Sequence, residues 1–349
     1  MLSMEFYLGT WQVAPSDGFW TGQDIEQSEK VISAAVRLGI RGFDTAQSYG
    51  KGQAEQTLAK VLRRVTGLTG LTKLTSPTSL TSSTSLTSST SLTKPTSLTS
   101  LTKPTSLTRP TKTLQIDTKI MPSTKSVSEI LRISQNRLSP FPFDCLYLHW
   151  PRSGFDNTAF IREMAALKEE GQINKVGICN MPLEDLRRID KEGITPDRIQ
   201  IPISLLWTRD LAETLVFCKD KKIQIAAYSP TGMGLLSGKY RNRKDLHDAR
   251  SDFFCFSEQC RRQYLELLDV IEEVARRHSV SCTKVALSWT CAKNPDIILL
   301  GARTEAQLKE NLSDPIELDP SEMSELDNAA RKLDEASAGV CDNIFSYRW

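Results

Sequence analysis

Four side chains set the chemical question: Asp44, Tyr49, Lys119 and His149. Asp44 closes the β-rich run 40–45 (IRGFDT), and Tyr49 follows in the adjoining loop. Lys119 closes 114–120 (LQIDTKI), and His149 closes 144–149 (DCLYLH). A carboxylate, a phenol, an ammonium and an imidazole are the groups of a proton-transfer site. A phenol near pKa 10 is a poor acid by itself. A neighbouring ammonium favours the phenolate and lowers that pKa. Lys119 fits this role, Asp44 would keep it charged and in place, and His149 would donate to or orient an oxygen. The competing reading of Asp44 and Lys119 is a buried ion pair that fills space. His149 alone reads as a core histidine, and His247 and His278 read as structural.

Groups so far apart in sequence meet only if the fold gathers strand ends. Besides the three runs above, β-rich segments occur at 6–10, 175–179, 198–204, 223–228 and 297–300. Amphipathic helical patterns lie between them at 24–38, 53–64, 126–138, 157–170, 183–192, 210–221, 259–277 with 283–293, and 304–312. Eight strands, each followed by a helix, imply parallel pairing with right-handed crossovers. In a (β/α)₈ TIM barrel the C-terminal ends of all eight strands share one face, where such enzymes do chemistry. Asn180 after the fifth strand, Ser229 after the seventh and Gly301 after the eighth fall on that face too. A doubly wound open sheet is the structural alternative, but residues 9–24 lack the G-x-G-x-x-G turn that usually marks its phosphate site.

Composition narrows the rest. The 349 residues are 39% hydrophobic and 25% charged, with net charge +2, which gives no basic footprint for nucleic acid. No run of 18 apolar residues predicts a membrane span, and the N-terminus does not read as a secretory signal. The eight cysteines form neither C-x-x-C pairs nor a disulfide framework, so no metal is expected and a reduced, cytoplasmic setting fits best. Residues 65–113 stand apart as a degenerate SLTSST or SLTKPT hexad, with five cations and no acid. A hexapeptide solenoid would explain the recurring Leu. Low-complexity disorder fits better, because turn Gly and Asn are missing and Leu is the one large apolar residue that recurs. Without this insert roughly 300 residues remain, a comfortable size for one barrel. The expected organisation is therefore a single domain over 1–349, with the insert on the non-catalytic face.

The segment GIRGFDTAQSYGKGQAE (39–55) resembles the signature of the aldo/keto reductase family. The likeness continues through IDTKI, YLHW, VGICN, YSPTGMGLLSGKY (228–240) and GARTEAQLKEN (301–311). It implies a TIM-barrel oxidoreductase that moves hydride reversibly between NADP(H) and a small-molecule carbonyl or alcohol, with Tyr49 as general acid/base. It also implies a cofactor wall. Asn180 and Gln200 would hold the nicotinamide carboxamide. Ser229, Thr231, Gly232 and Gly234 would cradle the pyrophosphate with flexible backbone N–H groups. Thr304 and Gln307 read as a capping box opening the last helix, whose N-terminus attracts phosphate beside Arg303. Gly301, Arg303, Gln307, Glu310 and Asn311 would take the adenosine end, with Arg303 on a 2′-phosphate. Thr10, Trp11 and Lys239 complete the set.

Departures from the family pattern set further expectations. Cys179 stands where many members have Ser, which would weaken one carboxamide contact. Ile203 stands where many have an aromatic residue, leaving Trp207 as a substitute stack. Only about eight residues precede Gly-Thr-Trp, so the hairpin that usually plugs the barrel bottom would be missing or truncated. Phe19, Trp20, Trp150, Trp207 and the tail 342–349 suggest a largely apolar substrate pocket. The alternative functions are a nicotinamide-binding redox-sensing subunit, or an interaction protein built around the repeat. The channel-associated branch typically carries Asn at the position of His149, so His149 favours an enzyme.

Overall fold

The computed structural model describes residues 4–15, 18–68 and 114–341. Eight strands form a closed parallel barrel in sequence order: β1 (Glu5–Gly9), β2 (Gly42–Asp44), β3 (Gln115–Ile120), β4 (Cys145–Leu148), β5 (Lys175–Cys179), β6 (Arg198–Pro202), β7 (Gln224–Tyr228) and β8 (Ile297–Leu300). Closure is the β1–β8 pairing, in which Tyr7 stands opposite Leu299. Closing the sheet leaves no unpaired strand edge. The register places Asp44 opposite Asp117, and Lys119 opposite Tyr147. Because side chains alternate along a strand, Lys119 and Asp117 face the barrel interior at successive depths.

Ten helices of the described residues surround the strands: α1 (Ile25–Arg37), α2 (Gln53–Thr66), α3 (Val127–Leu138), α4 (Asn157–Glu169), α5 (Leu183–Lys191), α6 (Leu211–Asp220), α7 (Arg261–His278), α8 (Cys282–Ala292), α9 (Glu305–Leu312) and α10 (Pro320–Ser337). Several start where side-chain caps occupy the orphan N–H groups of the first turn. Ser126 and Glu129 form a full capping box on α3, and Asp319 and Glu322 do the same on α10. α10, absent from the periodicity reading, packs on α7, where Glu322 meets His278 Nε2 at 2.9 Å. None of the described helices is long and apolar enough to cross a membrane.

Aromatic rings fill the barrel floor. Tyr7 and Tyr147 are both essentially inaccessible. A Cβ on Gly42 would lie 2.1 Å from the Tyr7 ring, so this strand position admits only glycine. Among the described residues only Met4 precedes β1. The repeat expected at 65–113 lies outside the described residues from 69 onward, as does the tail 342–349. The chain leaves at the C-terminus of α2 and re-enters at the start of β3, both at the end of the barrel away from Lys119 and His149.

Candidate active site

At the C-terminal mouth the four chemical side chains converge. Lys119 Nζ donates to Asp44 Oδ1 in a short contact, to Thr45 O at 2.9 Å and to the Tyr49 hydroxyl at 3.3 Å. An ammonium has three donors, and all three are engaged. The second Asp44 oxygen accepts from Gln200 Nε2 at 2.8 Å. The Tyr49 and His149 rings meet edge to face, with centroids 5.5 Å apart. Ser48 Oγ lies 3.3 Å from His149 Nδ1.

Burial governs the electrostatics here. It pushes the Tyr49 phenol up to about 12, against the lowering pull of Lys119, while Asp44 also raises it. The expected lowering by Lys119 is thus present as a force but loses to desolvation. Burial also opposes the Lys119 ammonium, but the Asp44 carboxylate outweighs it and keeps the lysine above its usual range. Desolvation, then the Lys119 charge, hold His149 well below the normal imidazole value, so the ring is neutral at physiological pH.

A cavity of about 560 Å³ opens beside these groups, within the range of small-molecule sites. Asp44, Tyr49 and His149 stand in its wall, with Lys119 buried behind them. Every cofactor residue expected from the sequence reaches this wall except Gly232, where a Cβ would meet Leu206 2.5 Å away in the core. Several are also occupied by protein contacts. Thr10 Oγ1 donates to Asp44 O at 3.0 Å. Asn180 Nδ2 donates to His149 O at 3.1 Å, and its Oδ1 accepts from Tyr228 Oη at 2.6 Å. Asn311 Nδ2 donates to Gly301 O at 3.0 Å, and Glu310 accepts from Ser281 at 2.6 Å. Arg303 Nε donates to Gln23 Oε1 at 2.7 Å, which fixes the guanidinium at the mouth of α9. Thr304 caps the Gln307 amide as expected, but the Gln307 side chain reaches back to Arg303 N at 2.8 Å, not to the cap residue.

Two expectations need correction. Ile203 is fully buried outside the cavity wall, and Trp207 is outside it as well. Tyr228, directly ahead of the Ser229–Gly234 turn, is an aromatic residue of the wall that bonds to Asn180. Cys179 packs with Cys145 and Tyr147 below the cavity, away from its wall. Sequence reading also missed Arg250. This residue lines the cavity, lies over the Trp20 and Tyr240 rings at 5.0 and 5.3 Å, and pairs with Asp248 at 2.8 Å. Its only signal was a polar stretch after strand seven.

A closed parallel (β/α)₈ barrel with an acid–base cluster and a long cavity at its C-terminal mouth defines a barrel enzyme site. The aldo/keto reductase family pattern matches residues 5–331, and the chain belongs to that family of oxidoreductases acting on carbonyl and alcohol groups. Aldo-keto reductase YhdN of Bacillus subtilis is 25% identical over 307 residues, covering 86% of this chain and 82% of the relative. The NADH-specific methylglyoxal reductase of Escherichia coli is 24% identical, covering 88% of each chain. Among solved structures, the glycerol dehydrogenase of Gluconobacter oxydans superposes with a TM-score of 0.67 at 22% identity, over 94% of this chain and 91% of the other. Enzymes of this family use nicotinamide cofactors.

Proposed function

We propose that the mouth of the barrel reduces small uncharged carbonyl compounds with NADPH, with Tyr49 as the proton donor. The observation that carries this reading is the Lys119 Nζ to Tyr49 Oη contact of 3.3 Å beside a neutral His149 in a cavity wall. The bound nicotinamide supplies the hydride. The protein residues divide the remaining work. Tyr49 keeps its proton up to about pH 12 and releases it to a developing alkoxide. Lys119 compensates the phenolate that remains, and Asp44 and Gln200 hold Lys119 in place. Where the Ser48 hydroxyl donates to His149 Nδ1, the neutral ring carries its proton on Nε2 and can donate to the carbonyl oxygen.

The cofactor fits the remaining wall. Tyr228 is an aromatic residue, Ser229, Thr231 and Gly234 border the cavity, and Arg303 stands at the start of α9 with its charge fixed by Gln23. That placement favours a 2′-phosphate. Trp11, Phe19, Trp20, Trp150 and Met121 make the substrate end apolar, and Trp11 stacks obliquely on Phe19 at 5.0 Å. Charged substrates would lose hydration against these rings. Spectrophotometric screening of NADPH and NADH oxidation against aldehydes, ketones and quinones tests the reading. Turnover of uncharged aromatic carbonyls with NADPH preferred is the expected result. No turnover with any carbonyl, or a clear preference for NADH, contradicts it.

A further inference from the structure

Tyr49 is carried by a loop that does not hold its shape unaided. Gly50, Lys51 and Gly52 all take positive φ, at 53°, 54° and 95°. A non-glycine residue in this region persists only where its surroundings over-determine it. α3 supplies that restraint. Arg137 Nη1 lies 3.4 Å from Gln47 O, and its Nη2 lies 3.4 Å from Lys51 O, the carbonyls on either side of Tyr49. The Gln47 amide donates in turn to Ile130 O at 2.7 Å and Ser134 Oγ at 2.8 Å, both on α3. A Cβ on Gly52 would sit 2.1 Å from the Arg137 Cζ, so the absence of a side chain there lets the guanidinium reach the loop.

The grip continues to Lys119. Arg137 Nη1 also donates to Glu55 Oε2 at 3.0 Å. Glu55, fully buried in the first turn of α2, accepts from Thr118 Oγ1 at 2.8 Å through its other oxygen. Thr118 directly precedes Lys119. One chain of contacts therefore joins the backbone on both sides of Tyr49 to the strand residue beside Lys119. Arg137, Glu55 and Thr118 all stand outside the cavity wall.

We infer that Arg137, Glu55 and Thr118 are positioning residues that set the distance between Lys119 Nζ and Tyr49 Oη. The inference rests on the reading of Tyr49 as proton donor. Its consequence has a sign. The charge and hydrogen bond of Lys119 are the forces that lower the Tyr49 phenol against burial. Loosening the clamp lengthens that contact and raises the phenol further. Lysine cannot replace Arg137, because a single ammonium lacks the planar fork that reaches two carbonyls and a carboxylate together.

The test uses Arg137→Lys and Thr118→Val, with Tyr49→Phe as reference, in both reaction directions. Reduction of an aromatic aldehyde with NADPH should fall about tenfold or more in kcat, the scale of a small misplacement of a reacting group. NADPH affinity should not change. Oxidation of the corresponding alcohol with NADP⁺ needs the phenolate, so its rise with pH should move to higher pH in both variants. Should Arg137→Lys fail to fold, Thr118→Val, which removes one hydroxyl from an isosteric side chain, decides the matter. Wild-type pH profiles in the variants that fold, beside an inactive Tyr49→Phe, overturn the clamp alone. A Tyr49→Phe enzyme with wild-type turnover removes the proton-donor reading and the clamp with it.

Discussion

The barrel buries an acid–base pair at each end, and the two ends differ in what surrounds it. At the mouth, Asp44 and Lys119 are both essentially inaccessible, and both carboxylate oxygens have partners. At the floor, Asp117 and Arg198 are equally buried, 2.7 Å apart, with Arg198 also reaching Asp144 and Gln224. The floor pair is less well satisfied. Asp117 Oδ1 has no hydrogen-bond partner among the described residues, and burial raises this carboxyl to about 7 despite the Arg198 charge. Asp44, Tyr49 and His149 border the cavity, whereas Asp117, Arg198, Tyr7 and Tyr147 do not. A buried ion pair is therefore poor evidence of function by itself. Contact with a titratable phenol at a cavity wall is what separates the mouth from the floor.

Removing one cation from each end sharpens this contrast most. Lys119→Met and Arg198→Met should each destabilise the protein by about 3–5 kcal/mol, the usual cost of leaving a buried charge unpaired. Among molecules that remain folded, Lys119→Met should lose turnover by about 10² or more. Arg198→Met should retain nearly all of it. Denaturant melts combined with single-turnover rates separate the two effects, and a catalytic loss at the floor as deep as at the mouth would break the comparison.

Arg303→Ala acts further along the mouth and should weaken NADPH binding by about 1.5–3 kcal/mol, the range of a charge-assisted hydrogen bond. NADH binding should hardly move. Fluorescence titration of both cofactors checks this, and equal losses would show that Arg303 does not read the 2′-phosphate.

The smallest effect is expected at the other end of the molecule. We propose that the chain is one catalytic barrel to which the Ser/Thr/Leu repeat is an appendage on the floor side. Replacing residues 66–112 with a short Gly/Ser linker should leave turnover and cofactor affinity unchanged. Stability should shift by no more than about 2 kcal/mol, since loop closure changes slowly with length. Aggregation or a much earlier melt of the linker variant would instead mean that the Leu residues of the repeat cover the barrel floor.

The eight strands and the first nine helices were legible because the β/α alternation repeats in hydrophobic period, and α1, α3, α4, α8 and α9 open on a recognisable side-chain cap. α10 was missed although Asp319, Pro320 and Glu322 spell a helix start, because a closed barrel already accounts for the chain before it. At the site, the cluster Asp44, Tyr49, Lys119 and His149 was readable from strand ends alone. What the sequence hid was how polar groups share partners. Gln200 serves Asp44, Asn180 ties His149 to Tyr228, and Gln23 holds Arg303 from 280 residues away. Such contacts depend on which loops meet across the mouth, and residue spacing carries no record of that. The same reason hid Arg250, whose partners Trp20 and Met233 come from two different loops.

The most direct test of the central claim is the rate of NADPH oxidation by an aromatic aldehyde in wild-type and Tyr49→Phe enzymes from pH 6 to pH 9. Burial holds the phenol up to about 12, so it stays protonated throughout this window and Tyr49 should introduce no pH dependence into wild-type reduction. Tyr49→Phe should lower turnover by about 10²–10⁴ at every pH, with NADPH affinity unchanged. Turnover by Tyr49→Phe within a few-fold of wild type would contradict the assignment of Tyr49 as the proton donor.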